Sequence, residues 1–161
     1  MMKARRAFLV VAAMLVAGSM SAPAEAGEIG AFLTLPTPTK DWGKGFGFHA
    51  AVISLPFLQA GGEFARMKAE DSVSTIETYT AQAEFSPPSV KISPFVGVGI
   101  GAYRKKTGTD SDWGSVNAIF GGVRVPVGAA NLRAEFRKIG LSGSPKPNVD
   151  KRFSLGLSFR F

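Results

Sequence analysis

The chain has 161 residues, no cysteine and a net charge of +7, and it is 45% hydrophobic and 19% charged. This length fits one domain, and this balance of apolar and charged residues excludes a disordered chain. The absence of cysteine excludes disulfides, thiolate metal sites and a cysteine nucleophile, and the single histidine, His49, excludes a multi-histidine metal site.

Residues 1–26 have the three-part form of a secretory signal peptide. Basic residues at the start are followed by an apolar stretch over 7–18 and by small residues up to Ala26. A membrane-spanning helix needs about 20 apolar residues, which is more than this stretch provides. We therefore predict cleavage after Ala26, export, and a mature domain over residues 27–161. Export argues against nucleic acid as a partner in spite of the positive charge.

Apolar residues alternate with polar or small residues along the mature chain, which predicts β-strands rather than helices. The alternation predicts eight strands, in chain order about 28–35, 45–55, 57–67, 76–85, 91–104, 113–125, 131–139 and 152–161. The second strand places Phe46 and Phe48 opposite His49, and the fifth places Val98 opposite alternate glycines. The last strand has the clearest pattern, with one face formed by Phe153, Leu155, Leu157, Phe159 and Phe161.

The predicted connections alternate in length along the chain. Those after the second, fourth and sixth strands are short, whereas those after the first, third, fifth and seventh are longer and more polar. Antiparallel neighbours joined in this way form an up-and-down barrel with one tight rim and one long-loop rim. We predict an all-β fold, an eight-stranded antiparallel up-and-down barrel that closes by pairing its first and last strands.

The alternation alone does not tell which face points inward, because a soluble barrel hides its apolar face and a membrane barrel exposes it to lipid. Segments of about 10 residues match the strand length that crosses a bilayer. The polar face carries few lysines, and aromatic residues lie toward both rims, as a belt at each membrane interface requires, including Tyr103 at the long-loop rim and Phe95 at the tight rim. These features predict a transmembrane barrel with its apolar face outward.

The inward face then carries both signs of charge in a space that eight strands leave only wide enough for side chains. Isolated buried charges are very costly, so these must pair. Closure should bring Glu28 near Arg160, and His49 and Arg152 share the same face. A gated proton or ion path is the alternative to a sealed lumen. The predicted charge network consists of Glu28, Glu63, Glu84, Arg124, Arg133, Glu135, Arg137 and Arg160.

The signal peptide, the eight alternating segments and the ending Phe-Ser-Leu-Gly-Leu-Ser-Phe-Arg-Phe resemble the small outer-membrane β-barrels of Gram-negative bacteria. The segment 94–103 is also similar to a mid-barrel strand of the outer membrane protein A transmembrane domain and its relatives. The resemblance implies an outer-membrane location and insertion by the barrel-assembly machinery. In that family the terminal aromatic and the alternating apolar residues before it form the assembly signal, here Phe153, Leu155, Leu157, Phe159 and Phe161.

We predict a non-enzymatic outer-membrane protein, monomeric and without a cofactor, that has a structural or surface-interaction role in contact with membrane lipid. One alternative is a lipid A-modifying enzyme that uses His49, for which the sequence offers only the loop pair Asp71 and Ser72 as a partner. The other is a soluble periplasmic barrel that binds a small apolar ligand. Basic residues assigned to the long loops are expected to favour lipopolysaccharide phosphates, namely Lys40, Lys44, Lys105, Lys106, Lys146 and Lys151.

Overall fold

The computed structural model describes residues 27–35, 42–55, 57–69, 74–87, 91–143 and 151–161, and the predicted signal peptide lies outside these ranges. The described residues contain no helix that is long and apolar enough to cross a membrane. Eight strands are present, namely β1 Glu28–Leu35, β2 Trp42–Ser54, β3 Leu58–Ala69, β4 Ser74–Phe85, β5 Ser93–Thr107, β6 Asp110–Val127, β7 Ala130–Ser142 and β8 Lys151–Arg160.

The strands form one closed barrel in which each strand pairs antiparallel with the next strand of the chain. β1 also pairs with β8, from Glu28 opposite Arg160 to Leu35 opposite Phe153. The sheet therefore has no free edge, which removes the unpaired backbone groups that an open sheet presents. The predicted eight-stranded up-and-down barrel and its closure are confirmed.

All strands except β1 run further toward the long-loop rim than the sequence predicted. β5 continues to Thr107 and β6 begins at Asp110, so only Gly108 and Thr109 connect them. Gly108 has a φ of 59°, which glycine adopts without steric cost and which suits a two-residue hairpin turn. The predicted long connection over 105–112 is therefore wrong, because paired strands need no apolar alternation where both of their faces are solvated.

Four of the six lysines assigned to loops consequently lie on strands, namely Lys44, Lys105, Lys106 and Lys151. Consecutive residues of a strand face opposite sides, so Lys105 points to the mouth of the lumen and Lys106 to the outer surface. The other two lysines, Lys40 and Lys146, lie outside the described residues.

Large apolar side chains are exposed on the outer wall of all eight strands. On β5 and β6, Val98 is 56% exposed and Ile119 is 68% exposed. Charged residues point inward instead, as Arg133 and Glu135 are only 4% and 3% exposed. The barrel is therefore apolar outside and charged inside, as the sequence predicted and as a transmembrane barrel requires.

The apolar-outside, charged-inside arrangement reverses near the long-loop rim. There, apolar residues point inward and polar residues point outward, as in a soluble barrel. On β7, Ile139 and Leu141 are buried, whereas Lys138 and Ser142 are exposed. The level of the reversal marks where the apolar outer wall ends. The inward-facing residues above it form an apolar cap on the lumen, consisting of Met67, Ile76, Tyr103, Val116, Ile139 and Leu141.

Candidate functional site

Eight buried charged side chains balance one another inside the barrel, four carboxylates and four guanidiniums. They project from six different strands, so their contacts connect parts of the barrel that are distant in the chain. Buried charges are tolerated only with well-placed partners of opposite sign, and equal numbers of each sign provide them. Each of the eight is at most 7% exposed, and they are Glu28, Glu63, Glu84, Glu135, Arg124, Arg133, Arg137 and Arg152.

Glu63 and Glu135 form the centre of this network. Glu135 accepts hydrogen bonds from Arg133 at 2.6 Å, Arg137 at 2.8 Å and Arg152 at 3.3 Å. Glu63 accepts hydrogen bonds from Arg137 and from Arg152, each at 2.7 Å. Arg137 and Arg152 therefore each bridge the two carboxylates. The sequence placed Arg152 on the inward face but not in the network, whereas the structure places it at the centre.

A second group lies nearer the tight rim and joins the centre through Arg133. Glu84 accepts a hydrogen bond from Arg124, and the Arg133 guanidinium lies 2.9 Å from the same carboxylate. The Glu28 carboxylate lies 3.4 Å from Arg124 Nε and 3.3 Å from His49 Nε2. All five side chains are buried, so the network extends without a break from the centre to the tight rim.

Arg160 lies at the mouth of the lumen rather than within the buried network. Its Nε is 3.3 Å from Glu28 Oε2, across the seam between β1 and β8. Its side chain is 49% exposed, whereas that of Glu28 is 1% exposed. The contact that strand closure was expected to bring about is present, but one of its partners is half solvated.

A double-mutant cycle on Glu28 and Arg160 should therefore show weak coupling. Glu28 retains His49 and Arg124 when Arg160 is replaced, and solvent screens the exposed guanidinium. We expect a coupling energy of about 0.5–1 kcal/mol between Glu28→Gln and Arg160→Gln, measured by urea unfolding of the folded, detergent-solubilised barrel. Strict additivity would show that the seam contact is absent in solution, and coupling above about 3 kcal/mol would show that Arg160 is buried.

Arginine side chains also stack on phenylalanine rings inside the lumen. Arg133 Cζ lies 4.0 Å from the ring centroid of Phe95, and Arg137 Cζ lies 4.2 Å from that of Phe120. A Cβ on the glycine paired with either ring would collide with it, so the absence of a side chain lets the ring lie against the wall. The paired glycines are Gly122 beside Phe95 and Gly97 beside Phe120.

Two aromatic residues that the sequence analysis assigned to the outer belts lie inside the barrel. Phe95 is 2% exposed and Tyr103 is 1% exposed. Tyr103 pairs with Gly114, as Phe95 pairs with Gly122, so a neighbouring glycine provides room for each ring. The assignment of these two residues to an interfacial belt was wrong, because position near a strand end does not determine which face a side chain occupies.

One small cavity lies between the charged side chains. This cavity is lined by Phe32, Glu63, Arg133, Glu135 and Ser154 and has a volume of about 10 Å³. This is about the volume that one water molecule requires. The charge network lies across the lumen on the tight-rim side of the barrel, and the apolar cap lies across it on the long-loop side.

His49 lies in the interior of the barrel and is 5% exposed. Its Nε2 contacts Glu28 at 3.3 Å, and its Nδ1 has no hydrogen-bond partner within the described part of the chain. The hydroxyl of Ser158, which lies on β8 opposite Gly30, is not bonded to the imidazole. The loop pair that the sequence offered as a catalytic partner lies outside the described residues.

The apolar residues of the C-terminal segment face outward. Leu155, Leu157 and Phe159 are 43–51% exposed, and Phe153 is half-buried. Phe161 donates its backbone N–H to the Gly27 carbonyl at 3.0 Å, but its side chain is 76% exposed. The last residue therefore joins the barrel through its backbone, and its ring lies beside Gly27 with most of its surface exposed.

A belt of outward-facing basic residues borders the apolar wall on its long-loop side. The sequence analysis missed this feature. On β3, Arg66 follows Phe64 on the outer face, and on β7, Lys138 follows Phe136. The same spacing of two residues relates Lys44 to Phe46 and Lys151 to Phe153, so an aromatic-to-basic step was the available signal. Among the described strands, the outward residues at the tight rim carry no charge. We call this set the basic belt, and it consists of Lys44, Arg66, Arg104, Lys138 and Lys151.

No protein-family model and no curated protein matches the sequence. Solved structures match by fold. Neisserial surface protein A (NspA) superimposes with a TM-score of 0.62 at 15% identity, over 84% of this chain and 96% of its own. The N-terminal β-barrel domain of Pseudomonas aeruginosa OprF gives 0.60 at 15% identity, over 84% and 97%. The Yersinia pestis outer membrane protein Ail gives 0.56 at 15% identity, over 86% and 100%. The similarity therefore covers the complete barrel in each case.

Proposed function

We propose that this chain, which has the fold of the small eight-stranded outer-membrane β-barrels, is a non-enzymatic integral protein of the bacterial outer membrane. We assign it a structural or surface-interaction role and a monomeric state. The observation that supports this most is the combination of an exposed apolar outer wall with an ion-paired interior. An apolar wall of this extent is an aggregation liability in water and is suited to lipid.

The height of the apolar wall supports the same proposal. On β5 the outward apolar positions run from Pro94 to Ala102, which is nine residues. At a rise of about 3.3 Å per residue and a strand tilt of about 40°, this run spans roughly 23 Å along the barrel axis. The apolar band of outer-membrane barrels is about 25 Å tall. The basic belt would then lie at one membrane surface, with the long-loop rim outside the cell.

An arginine in the middle of this wall should destabilise the barrel. Val98 lies outward near the centre of the apolar run, and Val98→Arg should lower the free energy of unfolding in lipid by about 2–4 kcal/mol. The matched control is Asn117→Arg, an outward position nearer the belt, where the loss should be about 0–1 kcal/mol. Urea unfolding in lipid vesicles measures both. Equal losses at the two positions would show that Val98 does not face the membrane core.

The proposal as a whole is tested by fractionation and electrophoresis. The protein should remain with the outer-membrane fraction, require detergent for extraction, and migrate differently before and after boiling, as a detergent-resistant barrel does. Extraction in buffer alone would instead favour a soluble periplasmic barrel with an internal ligand. The ion-paired charges and the apolar cap argue against that alternative, because both occupy the lumen where an internal ligand would have to lie.

A closed lumen should also pass almost no current. The barrel reconstituted in a planar bilayer is expected to show no steady conductance above the bilayer background, because the ion pairs and the apolar cap block its axis. Regular single-channel steps would contradict a sealed lumen and would favour the gated ion path that the same charges could form.

A lipid-modifying activity at His49 is tested separately. The imidazole is enclosed in the lumen and directed to Glu28, so an acyl chain would have to reach it past buried ion pairs. The lipid A of a deletion strain and of a strain with His49→Ala should match that of the wild type in mass spectra. A change in acylation that depends on His49 would overturn the non-enzymatic proposal.

A further inference from the structure

The outward basic residues are densest on one side of the barrel, where β3, β4 and β5 are neighbours. Arg66 of β3 lies opposite Glu77 of β4, which lies opposite Arg104 of β5. One step closer to the long-loop rim, Lys68 and Lys106 lie opposite the two sides of Thr75. We call the four cations the basic cluster, and it consists of Arg66, Lys68, Arg104 and Lys106.

One carboxylate lies beneath these cations. Lys106 Nζ is 3.0 Å from Glu77 Oε1, and Arg66 Nε is 3.8 Å from the same oxygen. The Glu77 side chain is 7% exposed, whereas those of Arg66 and Lys106 are 41% and 35% exposed. The cations therefore cover the carboxylate on one side and remain open on the other. Four positive charges against this one negative charge leave a local excess of +3 among the described outward residues.

Aromatic rings fix the depth of the cluster relative to the apolar wall. The rings of Phe64 and Tyr79 lie 5.2 Å apart, and those of Tyr79 and Trp113 lie 6.1 Å apart. Arg104 Cζ lies 5.6 Å from the Trp113 ring, which is 47% exposed. Aromatic rows of this kind mark the interface between the hydrocarbon and the headgroups. The reversal of side-chain facing occurs at the same level, because Met67 beside Arg66 belongs to the apolar cap.

We propose that the basic cluster is a binding site for a membrane glycolipid that carries two phosphate monoesters, in the leaflet at the long-loop rim. This inference rests on the proposed membrane location. A guanidinium group can donate two parallel hydrogen bonds to two oxygens of one phosphate, and a lysine adds a point charge beside it. An excess of +3 beside a row of interfacial aromatics suits a ligand with several negative charges at headgroup depth. A singly charged phosphodiester lipid would compensate less of that excess.

The site contains its own reporter, because the chain has two tryptophans and Trp113 lies against Arg104. A Trp42→Phe background leaves Trp113 as the single tryptophan. The folded barrel in neutral detergent is titrated with diphosphorylated lipid A, and the emission of Trp113 is followed. Monophosphorylated lipid A, phosphatidylglycerol and inorganic phosphate are titrated in parallel. We expect saturable binding of the diphosphorylated lipid, weaker binding of the other two lipids, and no competition by inorganic phosphate.

Charge removal at matched positions separates a built site from general attraction. Arg66→Gln with Arg104→Gln removes two cations of the cluster, whereas Lys138→Gln with Lys151→Gln removes two cations of the basic belt that pair with each other on β7 and β8. We expect the first pair to weaken diphosphorylated lipid binding by about tenfold and the second pair by less than about twofold. Arg66→Lys with Arg104→Lys keeps the charge and should give an intermediate loss.

The outcomes separate this inference from the proposed function. Equal losses in the two glutamine pairs, or equal affinity for phosphatidylglycerol and diphosphorylated lipid A, would overturn the site and leave the membrane barrel intact. Competition by inorganic phosphate would show that the cluster binds free phosphate rather than a lipid. The heat-dependent migration of each variant shows whether it is folded, and the charge-conserving lysine pair provides the test if the glutamine pair is not.

Discussion

Glu135→Gln should destabilise the folded barrel by about 3–5 kcal/mol, because it leaves an uncompensated positive charge in the buried network, where three guanidiniums must then share Glu63 and Glu84. The Glu135 carboxylate accepts hydrogen bonds from Arg133, Arg137 and Arg152, and all four side chains are at most 5% exposed. Glutamine keeps the shape of the side chain and removes only the charge. The loss is measured as the free energy of urea unfolding in vesicles of zwitterionic lipid.

Two further variants define what this loss means. Lys138→Gln changes an exposed charge on the same strand and should shift the free energy of unfolding by less than about 0.5 kcal/mol. Glu135→Gln combined with Arg133→Gln restores equal numbers of buried charges and should cost less than the sum of the two single changes. A loss below about 1 kcal/mol for Glu135→Gln would show that water or a rearranged partner compensates the arginines.

Most of the fold could be predicted from the sequence because one physical pattern repeats in every strand. Alternation with a period of two needs no long-range information, and the outward positions of Leu157 and Val98 follow from it directly. Closure is compatible with the strand count, because with an even number of up-and-down strands the first and the last run antiparallel and can pair. The pairing of Glu28 with Arg160 across the seam is a consequence of that closure. The individual partners in the lumen could not be predicted, because Arg137 reaches Glu63 across 74 positions of the chain.

The errors occur where the surroundings of the strands change. Above the apolar wall the outer face meets water, so inward apolar residues such as Val116 and Leu141 alternate with polar neighbours in the opposite sense. A single facing rule for the whole strand cannot describe both levels. The hairpin around Gly108 was read as a loop for the same reason, since its polar residues carry no alternation. Phe95 lies on the inward face of β5 with Gly99 and Tyr103, and the paired Gly122 provides the room for its ring.

The reversal of side-chain facing and the basic belt both mark the long-loop edge of the apolar outer wall. Below it, the wall is apolar outside and the lumen holds paired charges. Above it, the lumen holds the apolar cap and the wall carries lysine and arginine. A barrel built in this way has a preferred depth in a bilayer, because a shift in either direction would place the belt in hydrocarbon or the apolar wall in water. Depth is therefore set by side chains of most strands rather than by one anchor.

Phe161→Ser should remove most of the protein from the outer membrane while leaving the stability of the folded barrel nearly unchanged. The resemblance to outer-membrane barrels implies that the terminal aromatic is read by the assembly machinery, a role that contacts within the barrel do not require. The Phe161 ring is 76% exposed, and the hydrogen bond to Gly27 uses the backbone N–H, which serine retains. We therefore expect the refolded variant to match the wild-type free energy of unfolding to within about 1 kcal/mol.

Comparing the amount of protein in the outer membrane with the free energy of unfolding of the refolded barrel makes this prediction specific to assembly. Phe57→Ser provides a matched control, because Phe57 lies in a turn at the same tight rim and is 52% exposed. Immunoblots of outer-membrane fractions should show Phe57→Ser at close to the wild-type level and Phe161→Ser strongly reduced, with the missing protein degraded in the periplasm. Normal outer-membrane levels of Phe161→Ser would contradict an assembly role. An equally large loss of stability in vitro would show instead that the ring holds the β1–β8 seam together, since an unstable barrel is degraded whether or not the machinery recognises it.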